Sequence, residues 1–276
     1  MVVDLTPTIE GRTVARLTAG AGLLLFLLAA GCTPDTPADD DDTIGDDDSA
    51  TTDDDDDASA ACAEVVLRDE SVWIDEAGPD TQIHASVAAD DAGVWVAYNR
   101  PRDDGSGKFD VFATHIGCDG AVTVAPTRLN DADGANHVDP AIAVDGDAVL
   151  VAWHRDDGQF PYNLSTWVRG FDLEGNPAGE AAELQTTWDG APLEGNVWMP
   201  AVAARPGDGL VVAGVRGLPD LDRFQVYLQP VDPTGAPTTE TLDPDVEAEV
   251  SDAPPALDAD EHGRRHLAWT RTPDGR

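Results

Sequence analysis

Four arginines stand at equivalent positions in four similar stretches of the sequence, each directly after a short apolar segment. They are Arg100, Arg155, Arg216 and Arg271. The planar guanidinium group of arginine suits a carboxylate or a phosphate, so four of them gathered on one rim would bind an anion such as an acidic sugar. The alternative is structural: each arginine forms a salt bridge with an acidic neighbour, such as Asp103 or Asp156. Repetition in every copy favours this second role, because binding sites usually break symmetry.

Further polar and aromatic side chains precede the first apolar segment of each repeat and are expected on the same rim. They are His84, Asn136, His137, Asp139, Asn196 and Trp198. Of these, His137 and Trp198 join the four arginines as candidate ligand-binding residues.

The common catalytic motifs are absent from the sequence. Gly105 to Lys108 do not form a phosphate-binding loop, because the upstream glycine is missing and Phe109 replaces Ser or Thr. No G-x-S-x-G nucleophile motif occurs. We therefore predict no catalytic residues from motifs alone.

Two short patterns could hold a metal ion. His262 and His266 have the spacing of a zinc pair on a helix, but Gly263 favours a strand turn. Asp131 and Asp133 form half of a propeller calcium loop, with Leu129 at the first ligand position, and a plain turn is the alternative. We predict no cofactor, with Ca²⁺ as the one ion considered.

An internal repeat organises the chain after residue 61. Similar segments begin near Ala85, Pro140, Pro200 and Pro255, and a period of this length is typical of a propeller or an array. Each unit contains short apolar strands separated by Asp, Gly and Pro turns, with hairpin tips at Cys118–Gly120, 172–175 and 232–235. Four strands in about 55 residues match one propeller blade.

The pattern resembles the β-propeller repeats of large exported bacterial proteins, over roughly residues 64–276. The resemblance implies an all-β fold of four-stranded blades in a domain spanning residues 62–276. The fourth repeat ends at Arg276, after its second strand. We therefore expect an incomplete, truncated ring.

Large rings share one position on the second strand of three repeats, namely Tyr98, Trp153 and Trp269, whereas the third repeat has Gly214. We expect these rings to pack between blades.

The chain is strongly acidic, with a formal net charge of −38 over 276 residues. Phosphate binding requires clustered lysine and arginine, so nucleic acid is excluded as the expected partner.

The amino-terminal region has the features of an export signal. Residues 17–31 are apolar, with the length of a signal peptide, and end in Leu28-Ala29-Ala30-Gly31 before Cys32. This resembles the lipobox of bacterial lipoproteins. The resemblance implies a signal peptide at 1–31, lipidation of Cys32, and anchoring in the cell envelope, in the outer membrane because Thr33 follows. An ordinary secretory signal is the alternative.

Residues 32–61 are predicted to be a disordered tether. The stretch 35–57 contains thirteen aspartates and almost no apolar residues, so it cannot build a core. Diffuse binding of Ca²⁺ is the alternative role.

Cys62 and Cys118 remain for a disulfide, which export permits. They occupy equivalent repeat positions, which a propeller would separate by more than a disulfide spans. Because Cys62 precedes its strand and is able to reach, the bridge stays open.

Taken together, the sequence favours a membrane-anchored binding or scaffold module without catalysis, with a carbohydrate or an envelope protein as ligand. The alternative is a glycan-active enzyme of the sialidase type, in which the arginines hold a substrate carboxylate.

Overall fold

The computed structural model describes most of the repeat region and four short strands before it. The residues described are 2–7, 13–19, 23–29, 72–73, 83–158, 164–184, 187–188, 191–192, 196–205, 209–218, 223–239, 241–242, 255–259 and 264–269. Cys32, Cys62, Arg271 and the tether lie outside them. Within the described part, no helix has the length and apolar character needed to cross a membrane.

The first four strands form one antiparallel sheet in the order β3-β2-β1-β4. They are β1 (Val2–Pro7), β2 (Thr13–Ala19), β3 (Leu23–Ala29) and β4 (Val72–Trp73). β3 falls in the segment that the sequence assigns to the signal peptide, and that assignment stays a prediction.

The first complete repeat is a four-stranded antiparallel meander in chain order. Its strands are β5 (Ile83–Ala89), β6 (Gly93–Pro101), β7 (Phe109–Gly117) and β8 (Val122–Arg128). The predicted hairpin tip between β7 and β8 is present, and Gly120 takes a φ of 77° there. Glycine adopts this left-handed conformation without steric cost.

The second repeat has the same order of strands. It contains β9 (Asn136–Asp145), β10 (Ala148–Asp156), β11 (Leu164–Asp172) and the short β12 (Ala182–Glu183). A small hairpin follows, formed by β13 (Thr187–Trp188) and β14 (Ala191–Pro192).

The third repeat is a three-stranded sheet of β15 (Val197–Arg205), β16 (Gly209–Leu218) and β17 (Arg223–Val231). An isolated bridge between Leu228 and Leu242 follows β17, at the place of a fourth strand. β18 (Ala256–Ala259) pairs with β19 (Arg265–Ala268) as the start of the fourth repeat.

The first strands of successive repeats lie side by side, since β5 contacts β9, β9 contacts β15 and β15 contacts β18. We call these four the inner strands. The sheets therefore follow one another like blades, and the prediction of an all-β, propeller-like fold with four-stranded repeats is confirmed.

Alternation of side chains along β10 explains how the blades pack. Val149, Val151 and Trp153 face the first blade and join one buried cluster. Leu150 and Ala152 point the other way and join a second cluster with the third blade. Because both faces of a central blade are buried, its strands are continuous apolar runs rather than half-polar ones.

Candidate functional site

The three fully described inner strands carry the same backbone irregularity. Regular pairing with the second strand is interrupted in β5, β9 and β15. At this point His84, Asp139 and Met199 have φ values of 51°, 55° and 55°. Non-glycine residues pay a steric cost for left-handed φ, and recurrence in each of these blades makes the irregularity a feature of the fold. A candidate site is therefore sought in the side chains at this point, which differ from blade to blade.

Two of these strained residues meet across the boundary between blades. His84 Nδ1 is in direct contact with the Asp139 Oδ1 atom, and Nδ1 of His154 on β10 lies 3.6 Å from Asp139 Oδ2. We call His84, Asp139 and His154 the inner-strand cluster. Their side chains are 54%, 30% and 12% exposed, respectively, so the cluster is open to solvent on the His84 side.

The surroundings of Asp139 keep its carboxyl group ionised. Burial raises the pKa of Asp139, but the contact with His154 and the charge of His84 outweigh burial, so the pKa lies below its usual value of 3.8. A carboxylate between two imidazoles can accept a proton or orient a water molecule for attack. The cluster thus has the parts of an acid–base site.

A second polar network lies nearby, in the connection between the first two blades. Asp133 Oδ1 lies 2.8 Å from His137 Nε2, and its Oδ2 accepts a hydrogen bond from Arg155 Nε at 2.9 Å. Trp153 Nε1 donates to His137 Nδ1 at 3.0 Å. This network connects the loop after β8 to the second blade.

The Asp133 network makes stability depend on acidity. Burial alone would raise the pKa of Asp133, but hydrogen bonds from His137, the Ala135 N–H and Arg155 lower it to about 2. Burial lowers the pKa of His137 from 6.5. The unfolded chain therefore binds more protons than the folded one as pH falls, first at the histidine and then at the aspartate.

We expect the melting temperature to fall between pH 4 and pH 2, and Asp133→Asn to flatten this fall because the titrating carboxylate is gone. Melting curves by circular dichroism at half-unit pH intervals measure the slope. Asp131→Asn, an exposed neighbour in the same loop, is the control and should keep the native slope. Equal slopes for native protein and Asp133→Asn would contradict the prediction.

The arginines predicted to share a rim have separate partners. Arg155 binds Asp133 rather than Asp156, Arg216 is buried and donates to Gln225 Oε1 at 2.9 Å, and Arg100 stacks over the Phe112 ring at 5.1 Å. Arg155 thus forms a salt bridge, as the structural alternative predicts, although its acidic partner Asp133 lies in the loop after β8.

The two other candidate rim residues are interior. His137 is 1% exposed within the Asp133 network, and Trp198 is 7% exposed against Phe224, with ring centroids 5.3 Å apart. Hydrogen bonds therefore hold His137 in the interior, and ring packing holds Trp198 there.

Cys118 is disulfide-bonded, and its partner lies outside the described residues. The bridge to Cys62 stays a prediction. No group of three or more His, Cys, Asp or Glu residues in the described ranges is arranged to hold a metal ion, and the zinc partner His262 is outside those ranges.

A cavity of about 570 Å³ opens where the loop after β6 meets the loop after β8. Its polar lining combines three arginines with four aspartates: Arg100, Arg102, Arg128, Asp103, Asp104, Asp110 and Asp133. Sequence reasoning found only Arg100 among these arginines, since Arg102 and Arg128 do not recur in the other repeats. We call this space the arginine–aspartate cavity.

No protein-family model matches the sequence, and no curated protein matches it. Solved structures with a similar fold include a thermostable family-43 glycoside hydrolase, at 11% identity and a TM-score of 0.46, covering 70% of this chain and 66% of that one. An endo-arabinase from Bacteroides thetaiotaomicron has 11% identity and a TM-score of 0.44, with 70% of each chain covered.

An α-L-arabinofuranosidase from Fusarium graminearum, bound to an iminosugar inhibitor, also has 11% identity and a TM-score of 0.44. The match covers 64% of this chain and 53% of the arabinofuranosidase, so the chain spans about half the length of that enzyme. At this identity the likeness concerns the fold alone.

These matches correct one expectation from the sequence. A binding or scaffold module without catalysis was favoured, and an enzyme was not, whereas the similar solved structures are glycoside hydrolases. The preference for a non-catalytic module is therefore withdrawn, and the chemistry has to be sought in the residues of this chain.

Proposed function

We propose that the protein is a glycan-active enzyme and that the inner-strand cluster is its reaction centre. The observation that carries the proposal is the ionised Asp139 carboxylate, held on a strained residue between His84 and His154. The backbone irregularity recurs in three blades, but the first two place His84 and Asp139 at it, whereas the third has Met199. The fold shared with glycoside hydrolases is consistent with it.

The proposed reaction is hydrolysis of a glycosidic bond. Asp139 takes a proton from water, and the hydroxide adds to the anomeric carbon as the glycosidic C–O bond breaks. Asp139 passes this proton to His84 through their contact, and the other ring nitrogen of His84 gives a proton to the leaving oxygen, so the carboxylate is regenerated. Most glycosidases use two carboxylates for these roles, whereas the described residues place one carboxylate and two imidazoles here.

The substrate clamp of the sialidase-type alternative is not part of this proposal. That clamp requires several of the repeated arginines in one pocket, yet Arg155 and Arg216 face their own partners. The enzyme class is therefore kept and the arginine clamp is dropped.

We expect full-length protein to release reducing ends from at least one member of a panel of neutral and acidic oligosaccharides. His84→Asn should lower the rate about a hundredfold, because the group that gives a proton to the leaving oxygen is lost. Asparagine tolerates left-handed φ, so the backbone should be kept.

His266→Asn is the matched control, since His266 is an exposed histidine on β19 away from the cluster. Its rate should equal that of the native protein. Absence of sugar release from every oligosaccharide, or equal loss in both variants, would overturn the proposal.

A further inference from the structure

The arginine–aspartate cavity has no role in the proton transfers above, although it opens at the same end of the blades as the inner-strand cluster. The start of β5 pairs with the end of β6, and the cavity lies beside the loop that follows β6. A glycan that reaches the cluster can therefore extend across this end of the first blade.

The wall of the cavity is built around the buried carboxylate of Asp110. It accepts hydrogen bonds from Arg102 Nε at 2.8 Å and from Asn130 Nδ2 at 2.9 Å, and Arg128 Nη1 lies 3.6 Å away. Asn130 also accepts from the Val111 N–H at 2.8 Å. The carboxylate is thus oriented and its charge neutralised before any ligand arrives.

Arg102 is held in place by several contacts with the protein. Beside Asp110, it donates to the carbonyl oxygens of Asp133 and Ala135 at 2.8 and 2.7 Å. Its guanidinium group therefore joins the loop after β8 to the first blade, with each of its three nitrogens already donating to the protein. This rigid support is typical of preorganised sites.

The charges of the lining decide which ligand fits. Three guanidinium groups stand against four carboxylates, and the exposed Asp103 and Asp104 flank the opening. An anionic ligand would meet a surplus of negative charge and would compete with existing ion pairs. A neutral polyol donates its hydroxyl protons to carboxylates and accepts from guanidinium groups, and leaves no charge buried without a partner.

The remaining lining suits the C–H faces of a sugar ring. Pro101, Phe112 and Ala132 supply apolar contact area, and the cavity volume of about 570 Å³ falls within the usual range for ligand pockets.

We propose that the arginine–aspartate cavity is a binding subsite for a neutral oligosaccharide, which rests on the proposed function and names its substrate class. The acidic sugar expected from the sequence is replaced by an uncharged one. Arg128 and Asp103 supply the adjustable donor and acceptor at the opening, and the Asp110 framework fixes the wall.

The test is isothermal titration calorimetry on full-length protein with two probes of equal length, a neutral oligosaccharide and one that contains uronic acid. The neutral probe should bind more tightly. Arg128→Gln and Asp103→Asn should each weaken its binding about fivefold to tenfold, the effect of one lost hydrogen bond. Both side chains are solvent-exposed in part, so the fold should survive.

Asp147→Asn is the matched control, an exposed loop aspartate between β9 and β10 at the opposite end of the blades, and it should bind like the native protein. Tighter binding of the uronic-acid probe, or unchanged binding by both cavity variants, would overturn the subsite.

The same variants are assayed with a small chromogenic monosaccharide glycoside, which does not reach the cavity. One outcome is that the cavity variants weaken binding of the neutral oligosaccharide while no substrate is turned over. This outcome would support the subsite and refute the proposed enzymatic activity. Turnover of oligosaccharides with a KM unchanged by both variants would support the enzyme and refute the subsite.

Discussion

Asp139→Asn is expected to turn over the glycan substrate about a hundredfold to ten-thousandfold more slowly than the native protein, because a general base contributes that much to rate. The substitution keeps the size of the side chain and removes the proton acceptor. Asparagine is also among the residues that best tolerate left-handed φ, and Asp139 has a φ of 55°. The fold should therefore be retained while kcat falls.

Asp145→Asn is the matched control, since Asp145 ends the same strand β9 on the side away from the cluster. Burial raises the pKa of Asp145, in contrast to Asp139, and no role in the reaction is assigned to it. Initial rates with saturating and limiting substrate separate kcat from KM. Equal kcat values for the two variants would show that Asp139 takes no part in the reaction.

The blades were predictable because their signals are local. Strand, turn and strand follow one another within a few residues, and glycines such as Gly120, Gly175 and Gly235 sit at the tips with positive φ, where the sequence indicates hairpins. Strands and hairpins can be predicted from a period-2 pattern and turn residues alone, because these signals do not depend on contacts between distant residues.

The candidate site was only partly predictable because it depends on contacts between blades. His84 and Asp139 appear among the residues expected on one rim, but their direct contact joins positions one whole repeat apart. The strained backbone that turns them has no clear sequence signal. Arg155 shows the same limit, since its partner Asp133 comes from the preceding connection rather than from the adjacent Asp156.

Gly214 stands where the other repeats have a large ring, and contacts within the third blade explain why. Alignment of the repeats alone could not predict these contacts. Gly214 pairs with Tyr227 across β16 and β17, and a Cβ atom at Gly214 would lie 2.5 Å from the tyrosine hydroxyl oxygen. The ring missing from β16 is thus provided by β17. The Tyr227 hydroxyl group donates to Thr166 Oγ1 of the second blade at 3.1 Å, so the ring still joins two blades.

Trp153→Ala is expected to lower the free energy of unfolding by about 3–5 kcal/mol, the usual cost of removing a large ring from a core. Trp153 is fully buried in the cluster between the first two blades. Its loss would leave a cavity there and would deprive buried His137 of the hydrogen bond to Nδ1, which adds to the cost. Urea unfolding followed by circular dichroism measures the change.

Trp167→Ala tests whether depth of burial, rather than ring size, produces this effect. Trp167 is the cross-strand partner of Trp153 and packs against the same cluster but is only half-buried, so the same truncation should cost clearly less. Trp153→Phe keeps an apolar ring while it removes the indole N–H, and should fall between native protein and Trp153→Ala. Equal losses from the two alanine variants would contradict the prediction that the fully buried position on β10 contributes more than its half-buried neighbour.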